Sequence, residues 1–251
     1  MIRLYHGEPN LFSLKALIAL EEKGAPYDRT PIGQVPLERV ISGYPAETAH
    51  QINFEREGPV LVDGAETIVN SFFLLEYIDE TVPGPALLPS DPLARYHARS
   101  IGQLVTGMIA PFVTGLGLAA HPLPVAAGSY DDIEPVERRE AWQAASGTPA
   151  ADVSGFPDRL RPTLAKLEAM LAKSGDWFLD DFSIADIDVF AMVRNLPELA
   201  PGLIDADATP ALAAFVARME ARPATQRALG FATGDASDHA YTPGPEISRW
   251  G

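Results

Sequence analysis

The chain opens with an alternation of apolar and polar positions, Ile2-Arg3-Leu4-Tyr5-His6, which predicts a short strand. Pro9 and Asn10 punctuate, and Leu11 to Lys23 follows with Leu14, Leu17, Ile18 and flanking alanines. That spacing predicts a largely buried helix, capped by Asn10 and stopped by Gly24. A second strand is expected over Tyr27 to Ile32, just after Pro26. Residues 36–52 are weakly helical but interrupted by Gly43 and Pro45, and read as irregular. Gly58 to Gly64 reads as a strand ending in an Asp63-Gly64 turn, with Ala65 to Val69 as its return strand. Asn70-Ser71 then opens a helix over Phe72 to Thr81, with Phe73, Leu74, Tyr77 and Ile78 expected on one side.

Strand signals end at a segment crowded with prolines, Val82-Pro83-Gly84-Pro85-Ala86-Leu87-Leu88-Pro89-Ser90-Asp91-Pro92. Proline lacks the amide a helix needs, so the segment reads as a linker. Beyond it, helical patterns cover 92–118, 133–145, 157–173, 183–195 and 209–221, with loops at 119–132 and 146–156. The expected organisation is an α/β domain over 1–82, a linker over 83–91, an all-helical domain over 92–231 and a polar tail over 232–251.

Composition narrows the partners. Lys and Arg number 19 against 34 Asp and Glu, a formal net charge of −15, which disfavours nucleic acid and anionic membranes. There is no apolar run of membrane-spanning length and no signal-peptide pattern at the start, so a cytoplasmic location is expected. The chain has no cysteine, which removes disulfides, zinc-thiolate sites and a cysteine nucleophile. His50, His97 and His121 have no metal-ligand spacing among themselves, and His239 sits in the tail. No metal is expected.

Four features carry a resemblance. Pro59 stands at the start of the third strand, and Ser71 follows the hairpin. Ser183-Ile184-Ala185-Asp186 has the form of a capping box, and Leu87-Leu88-Pro89 with Asp91-Pro92 forms the linker. Together they resemble the glutathione transferase superfamily over roughly residues 1–225. The resemblance implies a thioredoxin-like N-terminal domain and an all-α C-terminal domain. Pro59 would follow a cis peptide bond and turn the backbone of Gly58 toward the cysteinyl part of glutathione. Asn70 and Ser71 would receive the γ-glutamyl end at a helix N-terminus. The Ser183 to Asp186 box would serve folding. The first helix, Pro9-Asn10-Leu11-Phe12-Ser13-Leu14-Lys15, is similar to bacterial β-aryl-etherases and to Nu-type and fungal-type members.

On that resemblance glutathione is the co-substrate and an aromatic ether the acceptor. The thiolate is the reactive form, and donors at the first helix's start would stabilise it. Ser13 matches the family's serine position, and Asn10 could donate from its amide. Phe12, Met108, Phe112 and Trp142 would line the aromatic pocket. The chain departs from the family where Glu57 replaces a donor and Asn70 replaces an acid. Three functions therefore stand open: a glutathione-dependent β-aryl-etherase, a non-catalytic partner with a degraded glutathione site in a heterodimer, and a carrier of aromatic ligands. Dimers, of identical or related chains, are implied by the resemblance.

Overall fold

A computed structural model describes residues 2–31, 59–122, 152–234 and 239–241. Strand β1 (Arg3–His6) leads into helix α1 (Leu11–Lys23), and β2 (Asp28–Pro31) follows. The hairpin β3 (Val60–Asp63) and β4 (Glu66–Ile68) precedes α2 (Ser71–Thr81). The remaining described helices are α3 (Pro92–Met108), α4 (Ala110–Ala120), α5 (Phe156–Ser174), α6 (Ile184–Val193), α7 (Leu196–Leu199), α8 (Pro210–Glu220) and α9 (Pro223–Leu229).

The strands make one mixed sheet in the order β2-β1-β3-β4. β1 pairs parallel with β2, and antiparallel with β3 in the register Arg3 opposite Val62, Leu4 opposite Leu61 and Tyr5 opposite Val60. β4 returns antiparallel along β3, with Gly64 at φ 61° in the turn. This is the thioredoxin-like sheet, followed by an all-helical half.

Local chemistry explains most boundaries. Asn10 caps α1 in an extended conformation, its Oδ1 accepting from the Leu11 amide at 3.0 Å. Gly24 ends the helix at φ 68°, a left-handed position that costs glycine little. The run expected as one helix over 92–118 is two. It breaks at Ile109, because Pro111 offers no amide and its ring crowds the preceding turn. No single described helix is long and apolar enough to cross a membrane.

Helix α6 is buried at all ten positions and is the axis of the core, packed by α1 on one side and α3 on another. Its start is a full capping box: Ser183 Oγ accepts from the Ala185 amide, and Asp186 accepts from the Ser183 amide at 2.8 Å. Asp186 also accepts from the Phe178 amide, and burial pushes its carboxyl up to about 6.

Three expectations are corrected. On α2 the buried stripe is Phe72, Leu74, Leu75 and Ile78, while Phe73 is exposed; the helix turns Phe72, not Phe73, onto α3, where it lies against Gly102. Glu21-Glu22-Lys23, a charge run most simply expected as solvated surface, is instead engaged in ion pairs. Lys23 is buried, its ammonium donating to the Asp79 carboxylate at 2.9 Å and to the carbonyls of Asp79 and Pro85. Asp79 in turn accepts from the amides of Leu87 and Leu88, so one buried charge pair fastens α1, α2 and the proline-rich segment. Glu22 takes a bidentate bond from Arg222, and Glu21 one from Arg227. Thirdly, the segment expected as a polar tail carries Tyr241, which is fully buried against α4. Helix α9, with Pro223 in its first turn, lies within the expected helical region, beyond the last helical pattern at 209–221.

Candidate functional site

Strand directions decide where chemistry can gather. β1 runs toward His6, β3 starts beside that end, and β4 finishes there. The N-termini of α1 and α2 therefore open at the same edge of the sheet. Extending the β1–β3 register by one residue places Pro59, buried, opposite His6. Two positive helix ends and the residue before β3 thus converge without any long side chain.

At α1, Ser13 is nearly buried and its Oγ accepts from the Gly7 amide at 3.0 Å. With that lone pair engaged, the hydroxyl proton is turned to donate elsewhere. Leu11, the first helical residue, has φ 42°, an unfavourable conformation for a branched side chain, at the point where the chain enters the helix. Asn10 is more committed than a simple cap. Its Oδ1 also accepts from Asn195 Nδ2 at 2.9 Å, and its Nδ2 donates to the Ala240 carbonyl at 3.4 Å. Asn195 donates as well to the Tyr241 hydroxyl at 2.8 Å. Burial pushes the Tyr241 phenol up, while bonds from Asn195 and Asn10 oppose the shift.

His6 ends β1 and is buried. Its Nδ1 donates to the Gly7 carbonyl at 2.6 Å, which leaves Nε2 as a buried acceptor with no partner among the described residues. Burial lowers its pKa, and the nearby Arg29 charge pushes the same way.

At α2, Asn70 sits at φ 71° and its Oδ1 accepts from the amides of Phe72 and Phe73. Asparagine tolerates this region better than most residues, and here it caps the helix as well. Ser71, buried, is the first residue of α2. Glu57, Gly58 and Trp142 lie outside the described residues, and with Gly58 goes the peptide bond preceding Pro59.

The pocket candidates among the described residues differ in burial. Phe12 is buried in the core, Phe112 is half-buried with its ring edge-on to Phe156 at 5.1 Å, and Met108 is exposed at the end of α3. The residues that sequence reasoning did not single out are Asn195 and Tyr241. Each sits far along the chain from Asn10, so no local spacing announces them.

Residues 147–227 match the family model described as glutathione S-transferase, C-terminal domain. LigF of Sphingobium sp. strain SYK-6 is 26% identical over 241 residues, covering 89% of this chain and 91% of that protein. The chain is similar to glutathione transferases in sequence and in fold. The crystal structure of the β-etherase LigF superposes with a TM-score of 0.78 at 24% identity, covering 91% of this chain and 98% of that one. A glutathione transferase from Pseudomonas putida, solved with one glutathione disulfide per subunit, gives a TM-score of 0.68 at 24% identity over 93% of this chain and 92% of its own. The thioredoxin-like sheet and helical half of that fold are both present, with the helix starts at Asn10 and Asn70 at one end of the sheet.

Proposed function

We propose that this chain is a cytoplasmic glutathione-dependent transferase of the β-aryl-etherase type. The observation that carries the reading is the convergence of the α1 and α2 starts beside Pro59. A peptide-like thiol can lie along that edge, with its γ-glutamyl end at Asn70 and Ser71 and its sulfur at the start of α1. Amides at a helix start favour an anion, so they lower the cost of ionising the thiol. Ser13 supplies a hydroxyl donor already oriented by Gly7. Gly58 and Glu57 would stand against the middle and the glycine end of the tripeptide. Phe12, Phe112, Met108 and Trp142 would bound the acceptor.

In the reaction the thiolate sulfur attacks the ether carbon bonded to an aryl ketone's carbonyl, the second side-chain carbon from the ring. A C–S bond forms as the C–O bond breaks, the phenolate leaves with the electron pair, and solvent protonates it. The products are a glutathione thioether and a phenol. The likeness to LigF, whose crystal structure is described as that of a β-etherase, supports the choice of acceptor. Titration of the chain with glutathione by calorimetry, followed by assay of phenol release from a β-aryl ether ketone, tests the proposal. Binding with glutathione-dependent release supports it. Phenol release that does not require glutathione sinks it.

A second reading rests on the C-terminal segment. Ala240 and Tyr241 already engage Asn10 and Asn195 at the α1 start. A chain whose donors are satisfied internally would serve as a partner for a catalytic relative. Exposed Phe73, Leu93, Tyr96 and Met108 provide apolar surface for pairing with a second chain. No glutathione binding up to millimolar concentration, together with a dimer by light scattering, would favour this reading over the enzyme.

A further inference from the structure

Folding brings together two histidines that the sequence separates. His121 follows the last residue of α4, Glu198 lies in α7, and His239 belongs to the C-terminal segment. The two imidazoles stack with centroids 3.9 Å apart and planes 4° from parallel. Both place Nε2 near one atom, Glu198 Oε1, which is 3.1 Å from His239 and 3.9 Å from His121. One ligand atom from each of the three residues falls within 4.8 Å of the others.

We infer that His121, Glu198 and His239 form a zinc-type divalent metal site that clasps the C-terminal segment to the helical half. Two imidazole nitrogens and one carboxylate oxygen are a zinc-binding donor set. Bonds of 2.0–2.2 Å in a tetrahedron separate ligand atoms by about 3.4 Å. The distances of 3.1 and 3.9 Å straddle that value, and the stacked rings would tilt apart to bring both in-plane lone pairs onto one ion. A hydrogen bond to Glu198 needs only one of the rings. A shared cation would give the second ring a role at the same oxygen.

The scaffold around the ligands is fixed independently of them. The Tyr241 ring packs on Gly117, one helical turn before His121, so closely that any side chain there would overlap it. Its hydroxyl accepts from Asn195, three residues before Glu198. The Asn10 amide holds the carbonyl of Ala240, next to His239. The neighbour of each ligand is therefore pinned, and the metal would close the remaining freedom of the segment. Glu198 is exposed, so solvent can complete the coordination. The site is separate from the thiol chemistry, which needs no metal.

The test uses the full chain without an affinity tag, stripped with chelator and dialysed. Zn2+ is titrated calorimetrically, Co2+ by visible absorption, and tail cleavage by a nonspecific protease is followed with and without Zn2+. Stoichiometric Zn2+ binding, four-coordinate Co2+ bands and slower cleavage with Zn2+ are expected. Each should weaken by a factor of about 10 or more in Glu198→Gln and His239→Ala. Glu198→Gln should keep the metal-free unfolding midpoint of the parent, because its side chain is exposed. Absence of a stoichiometric site, or equal affinity in the parent and both variants, overturns the inference by placing any bound ion on other surface groups.

Discussion

The Lys15 ammonium lies 2.6 Å from the Asp188 carboxylate, with the two side chains 1% and 0% exposed. The pair joins α1, which starts at the proposed thiol position, to the buried axis helix α6. Burial pushes the Asp188 carboxyl up, and the Lys15 charge pulls it back. Removing one member strands the other charge in the core. Asp188→Asn or Lys15→Met alone should cost about 3–5 kcal/mol in urea unfolding. The double change Lys15→Met with Asp188→Leu should recover most of that loss, since no charge is left unpaired. A double variant as unstable as the singles would show that the pair contributes more than mutual neutralisation.

Ser13 and Asn10 separate the two functional readings. With Ser13→Ala the oriented hydroxyl is lost, and kcat for phenol release should fall by about 100-fold or more with little change in glutathione affinity. Asn10→Ala removes a cap as well as a donor, so it should also destabilise the protein by about 1 kcal/mol. Unchanged kcat in Ser13→Ala would move the thiolate donor elsewhere on α1.

The buried His6 gives a pH dependence with a defined sign. Its pKa is lowered in the folded protein, so below about 6.5 the unfolded chain takes up a proton that the native state resists. His6 therefore costs stability as pH falls through that value, and costs nothing above it. Asp186 acts in the opposite sense. Its raised folded pKa, about 6, means that stability is gained as pH falls from 6 toward 3.8. To isolate the histidine, His6→Asn keeps a donor for the Gly7 carbonyl. Its stability relative to wild type should rise steadily from pH 7.5 to 5.5. A pH-independent difference would mean that the native state accommodates the charged imidazole.

Gly102 faces Phe72 so closely that an added methyl would lie 2.1 Å from the ring. Gly102→Ala should force the ring to shift and cost about 1–3 kcal/mol. Because Phe72 belongs to the first turn of α2, glutathione affinity should fall with it. Calorimetry alongside chemical denaturation checks both. An affinity loss without a stability loss would contradict this packing account.

The elements nearest one another in sequence were legible because local rules fix them. Asn10 and Gly24 mark α1, the Asp63-Gly64 turn marks the hairpin, and the Ser183 to Asp186 box marks α6. The break at Ile109 was hidden because apolar spacing continues across it, although Pro111 was a local cue. The inward turn of Phe72 was hidden because two adjacent phenylalanines look alike to periodicity, and only the partner helix with Gly102 distinguishes them.

From the order of residues alone came the strand–helix alternation, the helical remainder, the acidic surface and the places where backbone amides lie exposed at helix starts. These depend on neighbours within a few positions. The convergence of those starts required strand pairing. The partners of Lys15, Asn10 and His121 required chain segments from Asp188 to Tyr241 to fold back onto them. A side chain's charge and hydrogen-bonding capacity are properties of its type, but what satisfies them in the interior is set by whichever distant segment packing brings within about 3 Å.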